Sequence, residues 1–243
     1  MFRRVLLAAV LSGIAAALVM SAVQHLRVTP LILEAERYET GMAAMMAANG
    51  GEMPKAQGQM AGHDHAAMAG HGDMMSGESL RRTGLTLLAN VLTGIGFALV
   101  LGAVSLIFGI PLTPANGALW GFLGFAAFSL APSFGLPPEL PGMPAADLVA
   151  RQYWWAGTVL MTGAGMVLLA KRRALPAAVI AAMLIALPHL IGAPAPVTAQ
   201  SAVPPHLAAA FAANALTTAC ILWVLIGIFL GLSLNASEKD MRA

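Results

Sequence analysis

The sequence predicts an all-α, polytopic transmembrane helix bundle, and three observations carry that reading. Hydrophobic residues make up 58% of the 243-residue chain and charged residues only 10%, a balance outside soluble globular domains and inside polytopic membrane proteins. Six apolar stretches are each about long enough to cross a ~30 Å hydrocarbon layer as helices. The few charges fall between those stretches rather than within them. A mean hydropathy of +0.78 agrees.

In chain order the expected spans are residues 5–23, 85–109, 116–134, 154–170, 174–192 and 207–233. About six is the expected count, five is the alternative, and the third and fourth stretches have the weakest pattern. Arg3 and Arg4 before the first stretch resemble the flank of a cleavable signal, but no small-x-small site follows Val23, so a retained anchor is expected. This gives a first span over 1–23, an extracytoplasmic segment over 24–84, a bundle of about five spans over 85–233 and a short cytoplasmic tail over 234–243.

Orientation follows from the basic residues. With a cytoplasmic amino terminus, Arg3, Arg4, Lys171, Arg172, Arg173, Lys239 and Arg242 lie in short inner segments, and six other basic residues are spread over far longer outer ones. The Lys-Arg-Arg turn at 171–173 is the strongest retention signal, with Arg81 and Arg82 opposing it mildly. The expected setting is a bacterial inner membrane, multi-pass, with both termini cytoplasmic. Gly117 with Gly121, and Gly227 with Gly231, have the four-residue spacing that lets helix backbones approach closely in lipid. Asn90 and Asn214 lie roughly 9 to 12 Å below the outer edge by helix rise, where a polar side chain faces the bundle interior and joins helices or lines a pathway.

The segment from Met42 to Met75 contains three of the six histidines and eight of the fifteen methionines, with almost no Val, Ile, Leu or aromatics. Such a stretch buries too little apolar surface to offset its ordering entropy, so a disordered His/Met-rich extracytoplasmic loop is expected. Within it His63, Asp64, His65 and His71 form a loose set of nitrogen and carboxylate donors, and the methionines add soft sulfur that favours Cu⁺. The topology places three further imidazoles in one outer layer. His25 follows the first span, His189 lies ~22 Å along the fifth from Ala174, and His206 opens the sixth. Glu34, just after the first span, adds a carboxylate, and a His/carboxylate set suits Co²⁺, Ni²⁺ or Zn²⁺ better than Cu⁺. The expected cargo is a divalent metal in transit, with no permanently bound cofactor.

Other classes fit poorly. A net charge of +2 scattered around apolar spans gives no basic face for nucleic acid. Cys220 is the one cysteine, so neither an intramolecular disulfide nor a cysteine-based metal framework can form. There is no P-loop run, no His-Glu-x-x-His and no Gly-x-Ser-x-Gly, so an enzyme is not expected and any driving energy comes from a gradient or another subunit.

Three segments carry a resemblance: Arg-Arg and the first apolar span running into Leu31-Ile-Leu-Glu-Ala-Glu-Arg-Tyr-Glu39, the run from Leu136 to Trp155, and Leu187-Pro-His-Leu-Ile-Gly-Ala-Pro194. Together the chain resembles the CbtA-type cobalt transporter subunit family over nearly its whole length, most specifically in the Pro-Glu-Leu-Pro-Gly turn that feeds Arg-Gln-Tyr-Trp-Trp. The resemblance implies an integral membrane protein of five or so spans that brings in cobalt for cobalamin synthesis, beside a small single-span, His-bearing companion. Homo-oligomerisation is left open, as is a role in metal sensing or delivery rather than transport. A reporter enzyme fused within residues 63–71 should be active only outside the cytosol; cytosolic activity there would invert the topology.

Overall fold

The computed structural model describes residues 2–48, 73–197 and 200–239, and every regular element among them is helical. In chain order these are α1 (Phe2–Arg27), α2 (Thr29–Ala48), α3 (Asp73–Phe108), α4 (Gly117–Ser133), α5 (Leu148–Lys171), α6 (Leu175–Ile191) and α7 (Pro205–Lys239). Helices stand at all six positions marked by the apolar pattern. Four are long and apolar enough to span a membrane, over Arg3–Arg27, Leu80–Phe108, Leu148–Lys171 and Pro205–Asn235, whereas α4 and α6 fall short of that length. Leu11, Leu92 and Leu160 are more than 60% exposed on these helices, a surface suited to lipid.

The segment over 24–84 differs from expectation at both ends. Residues 29–48 form α2, and α3 begins at Asp73, twelve residues before the expected start at 85. Low hydrophobicity does not argue against helix here, because alanine and methionine are strong helix formers whatever they bury. Pro30 sits in the first turn of α2, where its missing N–H costs nothing. His63, Asp64, His65 and His71, and the expected disorder around them, lie outside the described residues.

Helices α1, α3, α4 and α7 enclose the main core, in which Trp223, Ile226 and Leu230 are completely buried. Backbone approach makes it possible. A Cβ on Gly13 of α1 would lie 2.6 Å from Gly94 and Ile95 of α3. Along α4 and α7, Gly117 faces Gly227, Gly121 faces the Trp223 backbone, and Gly231 meets Thr113. Of the two expected glycine pairs, Gly117 and Gly121 thus pack against Gly227, while Gly231 packs against Thr113 just before α4. Helices α5 and α6 form a separate hairpin, closed where Gly165 meets Ala181 and Ile185, and joined to the rest through α4.

Asn90 of α3 ties α1 by donating to Gln24 Oε1 at 2.6 Å and Ser21 Oγ at 3.0 Å. Asn214 does not join helices: its amide donates to Ala210 O of its own helix at 2.8 Å, the backbone partner one turn away. A smaller cluster of Ala35, Leu140, Val203 and Leu207 fastens α2 over the connectors at one end of the bundle. The opposite end brings Val5 against Gly102 and Gly231 against Thr113, so both described chain ends lie there.

Replacing Gly121 with leucine should drive α4 off α7 and cost at least about 3 kcal/mol through overpacking. Gly96, with nothing within 4 Å of its ideal Cβ, should accept leucine within about 0.5 kcal/mol. Thermal unfolding of the purified protein in detergent checks both, and equal melting shifts would refute the seam.

Candidate functional site

The α2 end of the bundle carries the described imidazole side chains. His25 is exposed in the last turn of α1, Glu34 is exposed on α2, and His206 is exposed in the first turn of α7. His189 is half-buried in the last turn of α6. All four lie at one end of the bundle. They do not converge: among the described residues, no group of three or more His, Cys, Asp or Glu side chains is placed to hold a metal ion.

His189 sits in the more defined surroundings. Pro188 lacks the N–H that would continue the helix ladder, and Gly192 at φ 88° ends α6 in a conformation other residues rarely adopt. The Pro188 carbonyl accepts from Gly192 N at 3.1 Å and from Trp154 Nε1 of α5, also at 3.1 Å. The imidazole stands edge-on to Phe134 and Trp154, with ring centroids 6.0 and 5.9 Å away. Gly135 admits the Trp154 ring, whose nearest atom is 2.5 Å from where a Cβ would be. These groups line an open recess of about 670 Å³. It presents a single imidazole between aromatic walls, too few donors to hold a metal ion by itself.

A second recess of about 440 Å³ opens between α4, α5 and α7. At its mouth Arg151 Nη2 pairs with Glu139 Oε2 at 2.9 Å, joining the 134–147 connector to α5. Asp147 caps α5 by accepting from Ala150 N at 2.9 Å. The wall contributed by α4 is a π-helical turn, Ala126–Leu130, in which Ala131 N donates to Ala126 O five residues back. Pro132 explains the distortion, having no N–H for the Phe128 carbonyl four residues before it. Trp155 Nε1 donates to that carbonyl instead, at 3.3 Å.

The adjacent indoles Trp154 and Trp155 therefore tie α5 to proline-bearing stretches of two different helices. Ser129, Ser133 and Gln152, which line the second recess, escaped the sequence reading. The available signal was Pro132 inside an apolar stretch, because a proline there requires the helix to find other backbone partners.

Comparison with known families decides the membership. The family model CbtA, described as a probable cobalt transporter subunit, matches residues 2–235. The chain belongs to the CbtA family. No curated protein and no solved structure matches it. As a CbtA member it is a multi-pass membrane protein and a subunit of a transporter for cobalt.

Trp155→Phe should free the Phe128 carbonyl, cost about 1 kcal/mol, and speed amide exchange across 126–130. Tyr153→Phe, at a side chain 77% exposed, should leave exchange there unchanged; similar protection in both variants would remove the tie.

Proposed function

We propose that this CbtA chain is the membrane-embedded part of a cobalt uptake system, taking Co²⁺ at the extracytoplasmic face and passing it between six spans of a bacterial inner membrane. Both termini face the cytosol in this reading, and the α2 end faces out. The observation that carries it is the family match over residues 2–235 on a bundle whose described histidines all lie at one end. The positive Lys171-Arg172-Arg173 turn at the other end supports the orientation. At 17 residues, α6 is at the short end of what crosses a bilayer, and α4 matches it.

The ion would first meet the segment carrying His63, Asp64, His65 and His71, then the imidazoles of His25, His189 and His206 and the carboxylate of Glu34. A flexible collector is weak, because ordering entropy opposes binding and each imidazole must be deprotonated. It raises local concentration without setting the rate. The family description as a subunit fits a partner, and a small single-span, His-bearing protein is the companion proposed here. No chemistry on a substrate is required. Eight methionines over 42–75 favour a second reading, copper as cargo.

Uptake of radioactive cobalt by membrane vesicles, with this chain alone and with its companion, tests transport; uptake unaffected by removing the chain would refute it. Copper outcompeting cobalt would move the assignment to the second reading. Deleting residues 49–72 should raise the half-saturating concentration several-fold and leave the maximal rate nearly intact. His189→Ala should cut the maximal rate instead, and unchanged uptake would remove that imidazole from the route.

A further inference from the structure

The recess behind Glu139 and Arg151 continues into the bundle. Its lining runs from that ion pair past Ser129 and Ser133 to Phe128 of α4 and to Leu216 and Ala219 of α7. Ala219 precedes Trp223 by one helical turn on the same face. Phe128 lines the recess and lies 5.0 Å from Trp223 between ring centroids, while Phe97 of α3 stacks on Trp223 at 4.3 Å with planes 23° apart. Phe128, on the recess lining, thus has the rings of Phe97 and Trp223 from two other helices packed against it. Beyond them, Leu101, Ile226 and Leu230 are buried in an apolar seam.

Two details distinguish this floor from ordinary packing. Trp223 is fully buried, yet its Nε1 has no hydrogen-bond partner among the described residues. An indole N–H left unpaired in an apolar core is unfavourable, and a state in which water reaches it would relieve the penalty. The rings also sit beside the π-turn Ala126–Leu130, which contains Phe128. A π-turn holds one residue more than an α-turn; reverting to α-geometry shifts register by one residue and swings Phe128 through about 100°. Gly124, in the turn before it, has no side chain where the indole ring lies.

We infer that Phe97, Phe128 and Trp223 form the closed floor of a water-filled vestibule entered past Glu139 and Arg151, which admits a hydrated divalent cation and opens inward by rearrangement of the π-turn. Ring constrictions of this kind block ions by excluding water. The cation rests on the transport reading above; the vestibule and its seal do not.

Cysteine accessibility tests it in membranes, using Cys220→Ser as background and a membrane-impermeant methanethiosulfonate added from the α2 side. Ala219→Cys should react, and saturating Co²⁺ should slow the reaction several-fold. Ile226→Cys, one turn past the rings, should be inert and should become at least tenfold more reactive when combined with Trp223→Ala or, independently, Phe97→Ala. Lipid-facing Leu160→Cys should stay inert throughout, showing that the variants remain folded. An Ala219→Cys as inert as Leu160→Cys, an Ile226→Cys indifferent to both ring deletions, or Ala219→Cys modification insensitive to Co²⁺ while uptake proceeds would overturn the inference. Labelling as expected without any cobalt uptake would retain the sealed vestibule and sink the transport reading instead.

Discussion

Close backbone contact between α4 and α7 is the constraint on which the rest of the bundle depends. In lipid, apolar side chains gain little by leaving the tails for one another, so helices associate where their surfaces fit closely. Gly117, Gly121 and Gly124 present a groove with no side chains, into which the Trp223 ring and the backbone at Gly227 are set. Because α7 also lies along α1, and α1 crosses α3 at Gly13 and Gly94, this seam positions Trp223 against Phe97. The aromatic floor therefore exists because a neighbouring helix gave up its side chains.

A second constraint is backbone satisfaction. A proline inside an apolar helix leaves a carbonyl without its usual N–H, which calls for another donor or a changed helix geometry. Pro132 is answered by a π-turn and by Trp155, whereas Trp154 adds a second donor to the Pro188 carbonyl, which already accepts from Gly192 N. The two recesses described above border these proline-bearing stretches. The two openings thus lie where the helix ladder is interrupted, and at the Pro132 interruption Trp155 also joins the α5–α6 hairpin to α4.

These constraints explain which features were readable in the residues. Apolar length identified all six helices of the bundle, and small-residue spacing identified the partners Gly117, Gly121, Gly227 and Gly231, because each property is local and periodic. Asn90 was readable as a link between helices; Asn214 was not distinguishable from it, since only the packing decides whether an amide reaches a neighbour or its own backbone. Helix α2 was missed because the reading equated weak hydrophobicity with loss of structure, whereas alanine-rich helix needs only modest support, supplied by Ala35 against Leu140, Val203 and Leu207. The meeting of Phe97, Phe128 and Trp223 joins three distant stretches of chain and leaves no trace in any one of them.

The distribution of ionisable groups bears on how an ion would be handled. No Asp, Glu, Lys or Arg lies between Thr83 and Phe108 or between Leu207 and Ser233, so the main core offers no carboxylate to hold a cation or relay a proton. His25, His189 and His206 each stand outside any larger described donor group. A divalent transition ion bound by three or more side chains would therefore need donors beyond the described His, Cys, Asp and Glu side chains. Separation of this kind favours release: isolated nitrogen ligands along an aromatic wall exchange an ion more readily than a complete cage, and passage requires binding weak enough to leave.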